Sequence, residues 1–280
     1  MDCCKGINFV YSCGGTIHDY RGVGNATSDM LPMIAIPTTA GTGSEAQSFA
    51  LISDTETHTK MACGDPRAAC RIAILDPKLT LTQPTIVSAL TGIDAISHAI
   101  ETYVTKRRNA ISTTYSRRSF GMLAQGFSQV LKKPEDMEAR SSMQLGACLA
   151  GMAIETSMLG AAHATANPLT AYHGITHGQA VGLMLPAVIR MNGSQYAQWY
   201  AELVREVDPG VSINEAPNRL AEMLTQWLKE ANLATSLEEL AIPSSGIEIF
   251  VEEALKQWTG TFNPIPLDAD RVRGLYHAVA

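Results

Sequence analysis

The feature that most constrains the fold is a change of hydrophobic periodicity at Pro84. Beyond it, apolar residues recur at helical spacing, beginning with the stretch 86–103. Before it, the chain carries only short apolar runs, which are separated by turns rich in glycine and proline. The sequence therefore predicts two parts: a small strand-containing segment, residues 1–80, and an all-helical segment, residues 81–280.

The short apolar runs predict strands, and the first residues, MDCCKGINFVYS, predict a helix. Strands are expected at MIAIP (33–37), FALISD, KMAC and RIAILDP (71–77), with a polar turn, DTETHT, between the middle two. Further helices are predicted at 110–131, 136–160, 179–191, 194–206 and 215–231. Ser244-Ser245-Gly246 is expected to precede a helix that runs through Trp258, and Asp268 is expected to open a last helix.

Charge and composition exclude several classes of protein. A net charge of −6 and a pI near 5.6 argue against a nucleic-acid-binding surface. The chain has no run of 18 apolar residues and no signal-peptide pattern, so neither a membrane span nor a membrane partner is expected. The six cysteines lack metal-finger spacing and a compact disulfide framework, which predicts reduced thiols and a cytoplasmic location.

The stretch GIDAISHAIETY, residues 92–103, places Asp94 and His98 four residues apart in a predicted helix. Residues with this spacing lie one turn above each other on the same helix face. Such a pair suits a shared metal ion. A local hydrogen bond or a helix cap is the alternative interpretation.

A second stretch, GAAHATANPLTAYHGITHG (160–178), contains His163, His173 and His177. On an uninterrupted helix, His163 and His177 would lie about 21 Å apart, too far to share one ion. Asn167-Pro168 and Gly174 are expected to break the helix, which would allow both imidazoles to reach one point.

Together with Asp94 and His98, His163 and His177 offer one oxygen and three nitrogen donors, which suit Fe²⁺ or Zn²⁺ better than Mg²⁺ or Ca²⁺. His173 is either a nearby proton relay or a solvated loop residue. The remaining histidines, His18, His58 and His277, have no partner pattern and are expected at the surface.

The loop TTAGTGSE (38–45) follows a predicted strand and offers hydroxyls and free backbone amides. Such a loop approaches a phosphate or a ribose closely, although a tight turn between strands explains the same residues. Lys60 follows shortly after and either meets a nucleotide or is an ordinary exposed charge.

Taken in order, four segments resemble the iron-containing (group III) alcohol dehydrogenases: IPTTAGTGSE, AILDPKLTLTQP, TGIDAISHAIETY and HATANPLTAYHGITHGQAVGLMLP. The terminal TGTFNPIP is also similar to the C-terminus of that family. The resemblance implies a dehydroquinate synthase-like fold, an α/β dinucleotide-binding domain followed by an all-α domain, with the active site in the cleft between them.

The resemblance also implies the chemistry and the residues that support it. A metal, Fe²⁺ or alternatively Zn²⁺, would be held by Asp94, His98, His163 and His177. It would favour the alkoxide of a small alcohol, whose carbon then gives a hydride to NAD or NADP; the reverse reaction reduces an aldehyde. The residues implied at the cofactor are Thr38, Thr39, Thr42, Lys60 and Leu79. A homodimer is the common arrangement of the family.

The chain departs from the family pattern in two places. MDCCKGI resembles the helix that follows a G-G-G-S loop, and that loop is not in the sequence, so residues 1–80 are expected to be a remnant of the dinucleotide-binding domain. Asn167 stands where many members carry a further histidine. A catalytically impaired metal-binding fragment therefore stays open, as does a dehydroquinate synthase-type lyase. Strands without sheet partners would also expose their edges, which predicts poor solubility or association.

Overall fold

A computed structural model of the chain describes residues 1–54 and 60–280. Most of the predicted polar turn, including His58, lies in residues 55–59, outside the described residues. The described chain has a strand-containing part, up to residue 80, and a helical part that begins with α2. This agrees with the predicted α/β plus all-α fold.

The strand-containing part holds one helix and two small sheets. Its elements are α1 (Asp2–Cys13), β1 (Gly22–Val23), β2 (Ile34–Ala35), β3 (Phe49–Ser53), β4 (Lys60–Gly64) and β5 (Ile72–Ala73). The first sheet has the order β1-β4-β3, with β3 antiparallel and β1 parallel to β4, and the second is the parallel pair β2 and β5. The four predicted strands are confirmed; β1 lies in a segment that the sequence indicates only as a connector.

A small core and a buried lysine hold this part together. Phe9 of α1 stacks on Tyr20 with ring centroids 5.1 Å apart. Lys5 is buried, and its ammonium donates hydrogen bonds to the carbonyl oxygens of Ser44 and Gln47 at 2.6 Å. Burial lowers the pKa of Lys5. These bonds fix the end of the TTAGTGSE loop against α1.

Eight helices follow in the helical part that the structure describes. They are α2 (Thr85–Tyr103), α3 (Ala110–Lys132), α4 (Met137–Thr156), α5 (Ala161–His173), α6 (His177–Val204), α7 (Ala216–Glu230), α8 (Ile247–Leu255) and α9 (Ala269–His277). Asp268 caps α9 as predicted, because its carboxylate accepts from the backbone N–H of Arg271 at 2.8 Å. The two helices predicted at 179–191 and 194–206 form one element, α6, in which only Tyr196 departs from helical geometry.

The helix break predicted at Asn167-Pro168 is wrong. α5 continues through Pro168 to His173 and ends at Gly174, which adopts φ +66°. Proline removes one backbone hydrogen bond from a helix interior, but Pro168 and the residues of the preceding turn, Ala164 and Thr165, are buried. Tertiary packing therefore holds the helix where the local sequence disfavours it.

The TTAGTGSE loop packs directly on α4. Gly43 has φ +61°, and a Cβ at Gly151 of α4 would lie 2.3 Å from the carbonyl oxygen of Gly43. Glu155, one turn further along α4, accepts from the backbone N–H and the hydroxyl of Ser48 at 2.9 and 2.7 Å. The loop is thereby held at the junction of the two parts.

No single helix among the described residues is long and apolar enough to cross a membrane. α4 and α5 pass that test only as a pair, which is bent by 105°.

Candidate metal centre

α2 brings the first two predicted ligands together. Asp94 and His98 lie one turn apart on its buried face, 6% and 5% exposed. His98 Nε2 is 3.3 Å from Asp94 Oδ1. The pair therefore faces the protein interior, where an ion between them would be shielded from water.

α5 and α6 bring in the two remaining imidazoles. His163 lies in the first turn of α5, and His177 is the first residue of α6. His163 Nε2 and His177 Nε2 lie 3.5 and 3.7 Å from the same oxygen, Asp94 Oδ1. Residues 174–176 separate the two helices, and the rings of His163 and His177 come together with centroids 5.2 Å apart.

A close helix contact places His177 against α2. A Cβ at Gly178 would lie 2.1 Å from the carbonyl oxygen of Leu90, which is one turn before Asp94. Only glycine allows the start of α6 to approach the backbone of α2 this closely. Gly178 therefore sets the distance between His177 and Asp94.

Burial and neighbouring charges give the members of the cluster different protonation states. Burial alone would raise the pKa of Asp94, but the facing imidazoles, His98 foremost, lower it well below its usual value. Burial lowers the pKa of His98 to about 4 and that of His177 to about 3, in spite of the Asp94 carboxylate. The cluster thus combines an ionised carboxylate with two neutral imidazoles, the forms that bind metals.

His163 differs because it lies between two carboxylates. Burial would lower its pKa, but Glu101 and Asp94 outweigh burial and raise the pKa to about 9. Its Nδ1 is 2.5 Å from Glu101 Oε2, and its Nε2 faces Asp94. The position therefore favours a positive charge next to Nε2, either a proton or a metal ion.

The donor set fits a divalent transition metal. Asp94 Oδ1 and His163 Nε2 are buried and have no hydrogen-bond partner among the described residues. One donor atom each from Asp94, His98 and His163 lie within 4.8 Å of one another. Donors bound at about 2.0–2.1 Å around a tetrahedral ion lie about 3.4 Å apart, close to the 3.3–3.7 Å from Asp94 Oδ1 to the three imidazoles. One oxygen and three nitrogen donors suit Fe²⁺ or Zn²⁺.

The cluster lies in the wall of a cavity of about 140 Å³. Apolar residues of α4 and the segment after it, Ile154, Met158 and Leu159, form one part of the wall. Phe49 and Trp258 form another, with ring centroids 6.1 Å apart. The cavity therefore combines an apolar wall with the polar donors of the cluster.

Two of the residues expected at the cofactor line this cavity. They are Thr42, which is exposed, and Lys60 at the start of β4. Lys60 lies near enough to lower the pKa values of His98 and His177. Thr38, Thr39 and Leu79 are not among the described residues that line it.

The structure does not bring His173 into this cavity. It is the last residue of α5 and is exposed, and its ring meets Phe250 edge-on at 5.4 Å. Its predicted role as a proton relay has no support from the residues around it. Asn167 does line the cavity, where its amide donates to Gln257 Oε1 at 2.9 Å.

Sequence reasoning missed Glu101, which touches His163. Glu101 lies three residues after His98 and seven after Asp94, so the helical spacing that identifies those two ligands also places it on the same face. It is 6% exposed, and its Oε1 accepts the backbone N–H of Ala162 at 2.7 Å.

Comparisons with known proteins agree with a metal-dependent oxidoreductase. "Fe-containing alcohol dehydrogenase family, C-terminal" matches residues 88–280, and "Iron-containing alcohol dehydrogenase" matches residues 1–77. The chain belongs to the iron-containing alcohol dehydrogenase family. The predicted resemblance is therefore confirmed.

Alcohol dehydrogenase 4 of Schizosaccharomyces pombe is 32% identical over 98% of the chain, and the chain covers 65% of that relative. The 1,3-propanediol dehydrogenase of Klebsiella pneumoniae is 30% identical over 94% of the chain, which covers 69% of the relative. The chain thus spans about two thirds of the length of these proteins.

Solved structures confirm the fold. A 1,3-propanediol oxidoreductase aligns with a TM-score of 0.95 and 27% identity, over all of this chain and 74% of its own. The sulfoacetaldehyde reductase of Bifidobacterium kashiwanohense, solved in complex with NAD⁺, aligns with a TM-score of 0.86 and 27% identity, over 99% of this chain and 73% of its own.

Proposed function

We propose that the chain provides the metal centre and part of the cofactor site of an NAD(P)-dependent dehydrogenase that interconverts a small alcohol and its aldehyde. The observation that carries the proposal is the convergence of one carboxylate and three imidazoles in the wall of a small, largely apolar cavity. Family membership supports it. It also favours redox chemistry over the lyase alternative.

In this proposal Asp94, His98, His163 and His177 hold the ion, Fe²⁺ or Zn²⁺. The bound metal supplies a Lewis acid for an alcohol oxygen or an aldehyde carbonyl. Asp94 contributes the negative charge that holds the cation. His98, His163 and His177 would contribute imidazole lone pairs.

The other cavity residues orient the reactants. The apolar side chains of Ile154, Met158 and Leu159 hold a short alkyl chain and keep water from the reacting carbon. Thr42 and Lys60 would offer a hydroxyl and an ammonium to the ribose or phosphate of the nicotinamide cofactor, NAD or NADP. On the family resemblance alone, Thr38, Thr39 and Leu79 complete the cofactor side.

The two sides of the proposed site come from different parts of the chain. Residues 1–80 carry the cofactor side and residues 81–280 carry the metal side. A small alcohol is supported by two relatives that are 1,3-propanediol dehydrogenases. All six cysteines are free, which supports the proposed cytoplasmic location.

The test is metal content together with NADH formation from short primary alcohols and 1,3-propanediol, on one purified sample. We expect His177→Ala to weaken metal binding and to abolish turnover. The loss of affinity should exceed the roughly 10–100-fold loss that follows removal of a residue that only hydrogen-bonds to a metal ligand. His173→Ala is the matched control and should leave both unchanged. Equal metal binding in the two variants would refute the ligand set.

A metal-binding protein without turnover is the second candidate, because only Thr42 and Lys60 of the expected cofactor residues line the cavity of the metal cluster. Stoichiometric metal without NADH binding or NADH formation would favour it. Metal-dependent ring closure without net redox would favour the lyase instead.

A further inference from the structure

Glu101 connects two neighbouring helices at the candidate metal centre. Its Oε2 is 2.5 Å from His163 Nδ1, and its Oε1 accepts the backbone N–H of Ala162 at 2.7 Å. Both oxygens of this buried carboxylate on α2 are therefore used by the first turn of α5. One side chain thus fixes the orientation of the helix and of the imidazole together.

The carboxylate determines which nitrogen of His163 faces the cluster as a donor. An ionised carboxylate has no proton to give, so the hydrogen bond requires the proton to be on Nδ1. In the neutral imidazole, Nε2 then carries the lone pair, and it faces Asp94 Oδ1 at 3.5 Å. This is the tautomer that a metal between Nε2 and Asp94 requires.

His163 is the only one of the three clustered imidazoles that the described chain fixes in this way. Nδ1 of His98 and Nδ1 of His177 are buried, and neither has a hydrogen-bond partner among the described residues. A change at Glu101 is therefore expected to remove a hydrogen bond from one ligand, while its charge also raises the pKa of the neighbouring His98.

Two contacts with α5, at the backbone N–H of Ala162 and at His163 Nδ1, hold the Glu101 carboxylate in place. Gly160, the residue before α5, supplies no side-chain cap, so Glu101 accepts the free N–H of Ala162 instead. A Cβ at Gly160 would lie 3.1 Å from Glu101 Oε1, tighter than ordinary contact. The N-terminus of α5 also attracts a negative charge at this point.

We propose that Glu101 is a positioning residue that holds His163 as an Nε2 ligand and thereby sets the metal affinity of the centre. The inference rests on the proposed metal site and adds to it the group that prepares one of its ligands.

The near-isosteric variant Glu101→Gln makes the proposal testable, because an amide has one acceptor and one donor end. The N–H of Ala162 is a fixed donor, so it takes the amide oxygen and leaves the NH₂ group facing His163 Nδ1. Nδ1 must then accept, and the proton moves to Nε2, where it blocks the lone pair. A carboxylate that only filled space would be replaced by glutamine almost without effect.

The experiment measures zinc affinity by chelator competition for the full chain, Glu101→Gln, Glu101→Met and Glu155→Gln. Glu155 is the matched control, since it also accepts one backbone N–H and one side-chain donor but touches Ser48 instead of a ligand. We expect Glu101→Gln to bind zinc about 10–100-fold more weakly, at least as weakly as Glu101→Met, and Glu155→Gln to be unchanged.

The outcomes separate this inference from the proposed function. Zinc affinity that is lost in His177→Ala but kept in Glu101→Gln would overturn the role of Glu101 alone. A wild-type chain that binds no zinc would overturn the metal site and this inference together.

A second measurement needs no variant and so does not depend on how the variants fold. In the zinc-loaded wild-type protein, ¹⁵N chemical shifts should report His163 protonated at Nδ1 and metal-bound through Nε2. The reverse assignment would overturn the proposal.

Discussion

At the scale of single residues, Asp94 is the centre of the candidate site. Its Oδ1 lies 3.3–3.7 Å from the Nε2 atoms of His98, His163 and His177. The facing imidazoles keep the pKa of Asp94 low although burial opposes this. Among the four candidate ligands, Asp94 is the one that carries a negative charge, and this makes its charge the most sensitive point to alter.

Asp94→Asn keeps the shape of the side chain and removes its charge. We expect the metal affinity to fall at least about 100-fold, because a neutral amide oxygen is a poorer ligand for Fe²⁺ or Zn²⁺ than a carboxylate. Elemental analysis after dialysis measures the loss. Asp136→Asn, at the cap of α4, removes an equal charge and should retain the metal. Full occupancy in Asp94→Asn would contradict the role of this carboxylate.

At the scale of helices and strands, most of the structure follows from local signals. The strands near MIAIP, FALISD, KMAC and RIAILDP are present, and α2 runs from Thr85 to Tyr103 much as the apolar spacing indicates. β1 was missed because it is two residues long and is defined only by its pairing with β4. α5 was expected to break at Pro168, and only its buried packing explains why it does not.

The candidate ligands are also predicted from local signals in the sequence. Asp94 and His98 are four apart on one helix, and Gly174 is a helix breaker between the other two. Helical spacing places Glu101 on the face of Asp94 and His98, but its contact with His163 depends on where α5 begins relative to α2. That placement comes from tertiary packing, and one sequence does not contain it in readable form.

The contact between α2 and α6 gives a prediction at this scale. Gly178→Ala would place a Cβ 2.1 Å from the carbonyl oxygen of Leu90, which is backbone and can move only with its helix. We expect α6 to shift, with a loss of about 1–3 kcal/mol in the free energy of unfolding and weaker metal binding. Urea unfolding of the metal-free protein and zinc competition measure the two effects.

Gly274→Ala is the control for this substitution. Gly274 lies in α9, is exposed, and a Cβ there would meet nothing within 4 Å. Alanine should therefore stabilise the protein by about 0.5–1 kcal/mol, as expected for an unhindered helix position. Equal effects of the two substitutions would show that the helix contact at Gly178 does not constrain the site.

At the scale of the whole molecule, the parallel pair β2 and β5 stands out because its apolar residues face outward. The pair joins only Ile34–Ala35 to Ile72–Ala73. Four isoleucines at this pair are 47–61% exposed: Ile34, Ile36, Ile72 and Ile74. Parallel sheets are usually covered on both faces, and a contiguous exposed apolar patch favours association.

We therefore expect the isolated chain to self-associate through this patch, as its strand edges already suggested at the level of sequence. Light scattering after size exclusion should give a mass that rises with concentration, and the double variant Ile34→Lys with Ile72→Lys should require at least tenfold more protein to reach the same mass. Ile249→Lys changes an equally exposed isoleucine on α8 and should have little effect. Zinc affinity should be the same in the wild type, the double variant and Ile249→Lys, since none of these residues lines the cavity of the metal centre.

A wild-type chain that remains monomeric at high concentration would contradict the prediction. A discrete dimer that dissociates in the double lysine variant would assign the patch to the homodimer that the family resemblance implies.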